Sequence, residues 1–206
     1  MAFETYSQLK LAIASWLSRS DLASQIPDFI RLAELTIQQR LRLLGFESVA
    51  TGTLTAGSEL MTLPSGCLEP AMLRLDTSPP TLLVRSSPSE LVARKGTTSG
   101  VPKVMIQQGT SLRLSPVPDA AYPYTLTYQP RISALSDDNP TNWLTQNAAN
   151  VLLFGALCEA QPFIFNDERV AIWQAKFDRG REDLRIQDWR ARSGGGPIVV
   201  SADAVA

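Results

Sequence analysis

The placement of proline constrains this chain more than any other feature. Ten of its 14 prolines fall between Glu47 and Arg131. Proline lacks the N–H that a helix interior needs and collides with the turn before it, so this stretch must consist of short extended pieces and turns. On either side, apolar residues recur at three- and four-residue steps, the spacing of an amphipathic helix. The 206 residues therefore read as helical over 3–45, as strands and turns over about 46–130, as helical again over 141–192, and as a tail over 193–206.

The first helix is expected from about Glu4 to Ser18, with Phe3, Tyr6, Leu9, Ile13, Trp16 and Leu17 on one face and Thr5 with Gln8 as a capping box. After the break at Ser18–Asp21, Pro27 suits the first turn of a second helix. Phe29, Ile30, Ala33, Ile37, Leu41 and Leu44 continue its stripe, Gly45 stops it, and Arg31, Glu34, Gln38, Gln39 and Arg42 form its polar face.

Strands are expected at Glu47–Leu54, Glu59–Thr62, Leu68–Asp76, Thr81–Val84, Lys103–Gln107, Ser111–Leu114 and Tyr124–Gln129. Gln107–Thr110 reads as a hairpin turn. Ser89–Arg94 reads as one helical turn and Lys95–Gly100 as a loop. Asn139–Asn142 precedes a third, broadly apolar helix that runs from Trp143 to the Gln161-Pro162 stop. Asn166 is placed to cap the last helix, whose face carries Val170, Trp173, Phe177, Gly180 and Leu184.

Amphipathic helices of this length need partners to be stable. The simplest closure is an α+β fold, a four-helix bundle of two N-terminal and two C-terminal helices. On this reading residues 1–45 and 141–192 form the bundle, an antiparallel β lobe is inserted over 46–140, and 193–206 is an extended, flexible C-terminal arm.

The chain contains no histidine, which excludes His-based triads and His-containing zinc sites. Cys67 and Cys158 cannot form a four-cysteine cluster or a Cys-x-x-Cys pair, and they read as two reduced, mostly buried thiols. No catalytic, cofactor-binding or metal-binding residue emerges. Lys+Arg is 19 against Asp+Glu 20, without the basic excess of a protein that neutralises many phosphates. The N-terminus lacks the pattern of a signal peptide, and the longest apolar run, Val151–Cys158, is far shorter than the roughly 20 residues of a membrane span, so a soluble protein with no membrane partner is expected.

Asp137-Asp138, Asp167-Glu168 and Glu182-Asp183 are adjacent carboxylates that read as a solvated turn, helix-dipole complementation and a solvated face. Arg179, Arg181, Arg185, Arg190 and Arg192 accompany four acids between Asp178 and Arg192. They read equally as a solvated helix face with internal pairs and as a basic end that meets acidic groups on a partner. The tail joins Gly194, Gly195 and Gly196 to Pro197, Ile198, Val199 and Val200, a flexible joint before an apolar, β-branched segment. Its 14 residues could reach roughly 46–50 Å, and they suit an arm that adds a strand or plugs a groove.

Several pieces, taken in order, resemble one family. They are Tyr6–Leu9 with Ile13 and Trp16-Leu17, Arg19–Leu22, Ile26–Ile30 with Ala33-Glu34, Leu41-Arg42, Gly100–Lys103 and Leu112–Asp119. Tyr124–Tyr128, Leu135-Ser136, Asn139–Trp143, Gly155–Leu157 and Asn166–Arg169 with Trp173 follow. This order resembles the head-to-tail adaptors, or connectors, of tailed bacteriophages. The resemblance implies a structural virion protein at the head–tail junction, made in the host cytoplasm. It further implies self-association into a ring, a dodecamer, docked below the portal protein ring. The ring would extend the DNA channel, pass genomic DNA without specific binding, and offer a platform to tail or nozzle proteins. It implies that the C-terminal segment grips the portal, which makes Arg185, Trp189, Arg190, Arg192 and Gly194–Val200 of this chain the portal-binding candidates. Two other classes stay open on the residues alone, a small carboxylate-dependent hydrolase and a nucleic-acid-binding module.

Overall fold

The computed structural model describes residues 4–19, 21–40, 47–87, 99–164 and 167–192. The expected stop at Gly45, the turn at Ser89–Arg94, most of the loop Lys95–Gly100, the cap Asn166 and the whole arm lie outside the described residues. The chain divides into two compact units, one being Glu47–Arg131 and the other the residues on either side of it.

Among the described residues the helical unit holds the α-helices α1 (Tyr6–Leu17), α2 (Ile26–Arg40), α3 (Trp143–Asn147), α4 (Ala149–Glu159) and α5 (Arg169–Arg192). At α1 the Thr5 hydroxyl accepts the Gln8 N–H while the Gln8 side chain returns to the Thr5 backbone, the capping box expected. Tyr6, Leu9, Ala12, Ile13 and Leu17 are buried, but Trp16 lies a step off that line and is 38% exposed. In α3 the Asn142 side chain accepts the Thr145 N–H and the Thr145 hydroxyl accepts the Asn142 N–H. Ala148, at φ −144 and ψ 35, then breaks the helix before α4 begins.

The expected four-helix bundle with a small β lobe is incorrect. Each helix of such a bundle offers one apolar stripe to a shared core, whereas α4 is apolar on all sides. Its Val151, Leu152, Leu153, Gly155, Ala156 and Leu157 are all buried, and it packs against α1, α2, α3 and α5 as a central helix. Leu9, Ile13, Phe29, Ile30, Ile37, Trp173 and Phe177 close around it.

The strand region is larger than a lobe. It is one curled, seven-stranded sheet of β1 (Ser48–Thr53), β2 (Leu60–Thr62), β3 (Cys67–Leu75), β4 (Thr81–Arg85), β5 (Val104–Gln108), β6 (Ser111–Ser115) and β7 (Pro123–Pro130). The strand order is β1-β7-β3-β4-β5-β6-β2. Leu73, Leu75, Leu83, Met105, Leu112, Leu114 and Leu126 alternate onto one face and form its core. The sheet is not wholly antiparallel, because β4 and β5 run parallel. A parallel neighbour needs a crossover of a dozen or more residues, and the connection over 86–103 is long enough to supply it.

Candidate functional site

The structure directs attention to α5. It has 24 residues, about 36 Å of helix, against 11 residues, about 16 Å, in its packing partner α4. The start of α5 is tied down. The Arg169 guanidinium donates to Asp167 through Nε (2.9 and 3.0 Å) and Nη2 (2.6 Å), and holds that carboxyl below its ordinary range. It also donates to the carbonyls of Trp16 (3.0 Å) and Leu17 (3.5 Å) at the end of α1, where the helix dipole favours a cation. Beside it Trp16 meets Phe154 edge to face at 5.5 Å, and Lys176 lies over both rings.

The middle of α5 is the packed part. Trp173 and Phe177 are buried, and Gly155 and Gly180 let the backbones close in. A methyl on Gly155 would lie 3.0 Å from the Phe177 ring and 3.2 Å from Ala33, and one on Gly180 would lie 2.9 Å from Val151.

Beyond Leu184 the side chains described on α5 are exposed or half-buried. Ile186 is 39% and Trp189 48% exposed, one turn apart, and together with Arg185 they line an open surface pocket. Arg185 donates to Glu182 through Nε (3.0 Å) and Nη2 (2.9 Å), and Arg181 donates to Asp178 at 3.1 Å. Both are i,i+3 pairs, the internal pairing that the sequence allows. Thus the structure brings together Arg185 and Trp189 of the sequence candidates. Arg190 lies in the same last turns and Arg192 ends the helix, while Gly194–Val200 lie outside the described residues.

One member of each adjacent carboxylate pair has a cationic partner: Asp167 with Arg169, Glu182 with Arg185, and Asp137 with Lys10. Asp137 accepts from Lys10 Nζ at 2.8 Å, and no group of three or more metal-ligating side chains gathers among the described residues. No helix among them is long and apolar enough to cross a membrane.

Sequence reasoning missed Glu34, assigned to the polar face of α2. It is 2% exposed. Its Oε1 accepts the Leu135 N–H (3.1 Å) and the Asn142 amide (2.7 Å), and Arg31 approaches Oε2 at 3.3 Å. One helical turn on, Gln38 accepts the Ile132 N–H at 3.0 Å. The polar stripe of α2 is therefore the clamp for the segment that leads into α3. Burial raises the Glu34 carboxyl above its ordinary value, against the opposing hydrogen bonds from Leu135, Arg31 and Asn142. The only sequence signal was its four-residue step to Gln38.

Two comparisons bear on what such a surface serves. Residues 4–201 match the family described as SU10 adaptor protein. No curated protein matches the chain.

Proposed function

Because the chain belongs to the SU10 adaptor protein family, a family of phage head-to-tail adaptors, and so is a bacteriophage structural protein, we propose that it forms a ring below the portal at the head–tail junction. The ring extends the DNA channel and offers a platform to tail proteins. A closed ring requires two unlike faces on each subunit. The exposed end of α5, with Arg185, Trp189, Arg190 and Arg192, meets the portal, and the arm with Gly194–Val200 continues that contact.

The observation that carries this assignment is the overhang of α5. Its last turns present Ile186 and Trp189 to solvent, while Val170, Trp173, Phe177 and Leu184 pack into the helical core. An exposed tryptophan with neighbouring arginines has the composition of an interface anchor. Weak contacts repeated around a ring add up through avidity. A formal net charge of −1 suits a channel wall that lets DNA slide.

The test mixes the protein with portal rings of the same phage and measures the mass of the complex. A chain ending at Arg192 and a Trp189→Ser variant run beside it. A discrete complex with the full chain, weakened at least tenfold by Trp189→Ser, is expected. If neither the full chain nor the shortened one binds, the portal assignment is wrong. If the shortened chain binds as tightly as the full one, the arm has no part in the contact.

A further inference from the structure

The two edges of the sheet differ in how they are protected. At one end stands β2, only three residues long, where the Ser58 hydroxyl donates to the Leu60 carbonyl (2.9 Å) and accepts the Leu60 N–H (3.4 Å). That edge is short and covered by its own chain. At the other end stands β1, with the sequence Ser-Val-Ala-Thr-Gly-Thr. It has no charge, no proline and an unbroken register with β7, and so lacks the usual devices that blunt an edge strand.

The ladder fixes which groups the β1 edge presents. Leu54 N–H donates to the Tyr122 carbonyl, one step beyond the β1–β7 register. Hydrogen-bonded pairs alternate along an antiparallel ladder, so Gly52, Ala50 and Ser48 also bond towards β7. Val49, Thr51 and Thr53 then direct three N–H and three C=O groups away from the sheet, and among the described residues no strand lies beyond them. Their side chains are all exposed, Val49 to 63%. The register places Val49 beside Thr127, and Thr127 beside Met72, which is 41% exposed, on the same outer face.

We infer that the β1 edge takes an extended, uncharged segment of a tail-side partner as an eighth strand, through Val49, Thr51 and Thr53. The inference rests on the adaptor reading and names the surface that meets the tail. Charge selects a neutral segment. The strand has no ionic group, and on the outer face Arg74 is already matched by Asp76. A second copy fits poorly. Two β1 edges pairing with each other close a dimer rather than a ring, and pairing β1 with β2 of the next copy meets the Ser58 cover. Main-chain hydrogen bonds supply affinity, and alternate apolar residues beside Val49 and Thr51 supply selectivity.

The probe is a labelled peptide of residues 123–129, Pro-Tyr-Thr-Leu-Thr-Tyr-Gln, neutral and already matched to β1 on its inner edge. Thr51→Pro deletes one outward N–H and leaves the ladder to β7 intact. Val49→Lys charges the edge without altering the backbone. Saturable binding to the wild type is expected, weakened at least tenfold in either variant while the thermal midpoint is unchanged. Amide exchange at Val49, Thr51 and Thr53 is expected to be fast in the free chain and to slow on binding. No binding to the wild type, equal binding to Val49→Lys, or slow exchange at those amides in the free chain would overturn the inference. Slowing with protein concentration alone would assign the edge to a second copy and overturn it too. In phage assembly, Val49→Lys adaptors are expected on heads that fail to gain tails. Normal tailing refutes the tail-side assignment, and absence of the wild-type adaptor from heads is the separate failure of the adaptor reading.

Discussion

Replacing Glu34 separates two things that a buried carboxylate does. In Glu34→Ala the Leu135 N–H loses its acceptor inside the core, and Asn142 loses a 2.7 Å contact. An unsatisfied buried donor costs about 1–3 kcal/mol, and a lost hydrogen bond to a charged group about 1.5–3 kcal/mol, so the alanine variant is expected to lose roughly 2.5–6 kcal/mol. For a chain of this size that is a fall of roughly 5–24 °C in thermal midpoint. Glu34→Gln keeps an oxygen at Oε1 for both donors and gives up only the Arg31 pair at 3.3 Å, whose arginine side chain is 46% exposed. Its cost is expected to stay within about 1 kcal/mol. The pH dependence carries the sharper sign. Between the ordinary value of 4.5 and the higher native one, the folded chain holds a proton that the unfolded chain has released. Stability therefore falls as pH rises through that window, and the Glu34 contribution is complete only below it. The difference between wild type and Glu34→Gln, followed by circular dichroism melts across the window, isolates this slope. It also removes the opposite contributions of Asp21 and Asp167, whose carboxyls are held low by their arginines. A glutamine variant that melts as low as the alanine one, or a difference that does not change with pH, would refute the acceptor argument.

Trp173→Ala empties the largest fully buried side chain of the helical core, and is expected to cost about 3–5 kcal/mol in urea unfolding followed by circular dichroism. A loss below 1 kcal/mol would mean that α5 does not depend on that contact. The Cys158 thiol is pushed up to about 11 by burial, with Asp178 and Glu159 adding to it, so its alkylation by iodoacetamide is expected to quicken about tenfold from pH 8 to pH 9. A plateau near pH 8.5 would contradict that environment.

Local rules governed what was legible beforehand. The Thr5–Gln8 box, the entry to α2 at Pro27 and each of the seven strands, to within two residues, follow from proline placement, capping chemistry and alternation, which act over a few neighbours. Arg185 and Trp189 could be named as candidates because the family resemblance points to the C-terminal segment, and both fall in the last turns of the helix that leads into it. Glu34 could not be named as a clamp, since a polar residue on a helix is charged and solvated unless something distant covers it. Its partners Leu135 and Asn142 lie more than 100 residues further along the chain.

The sequence by itself determined where the seven strands and the first two helices begin, because backbone sterics and near-neighbour hydrogen bonds decide that locally, but it read one helix from Trp143 to Gln161 where the chain breaks at Ala148. Only the tertiary structure decided that α4 is central, that β4 and β5 run parallel, and that β1 is left as an open edge while β2 is covered. Those outcomes depend on which apolar surfaces meet and which strands find partners across long stretches of chain. The helical and strand periods of a sequence are the same whichever neighbour is chosen.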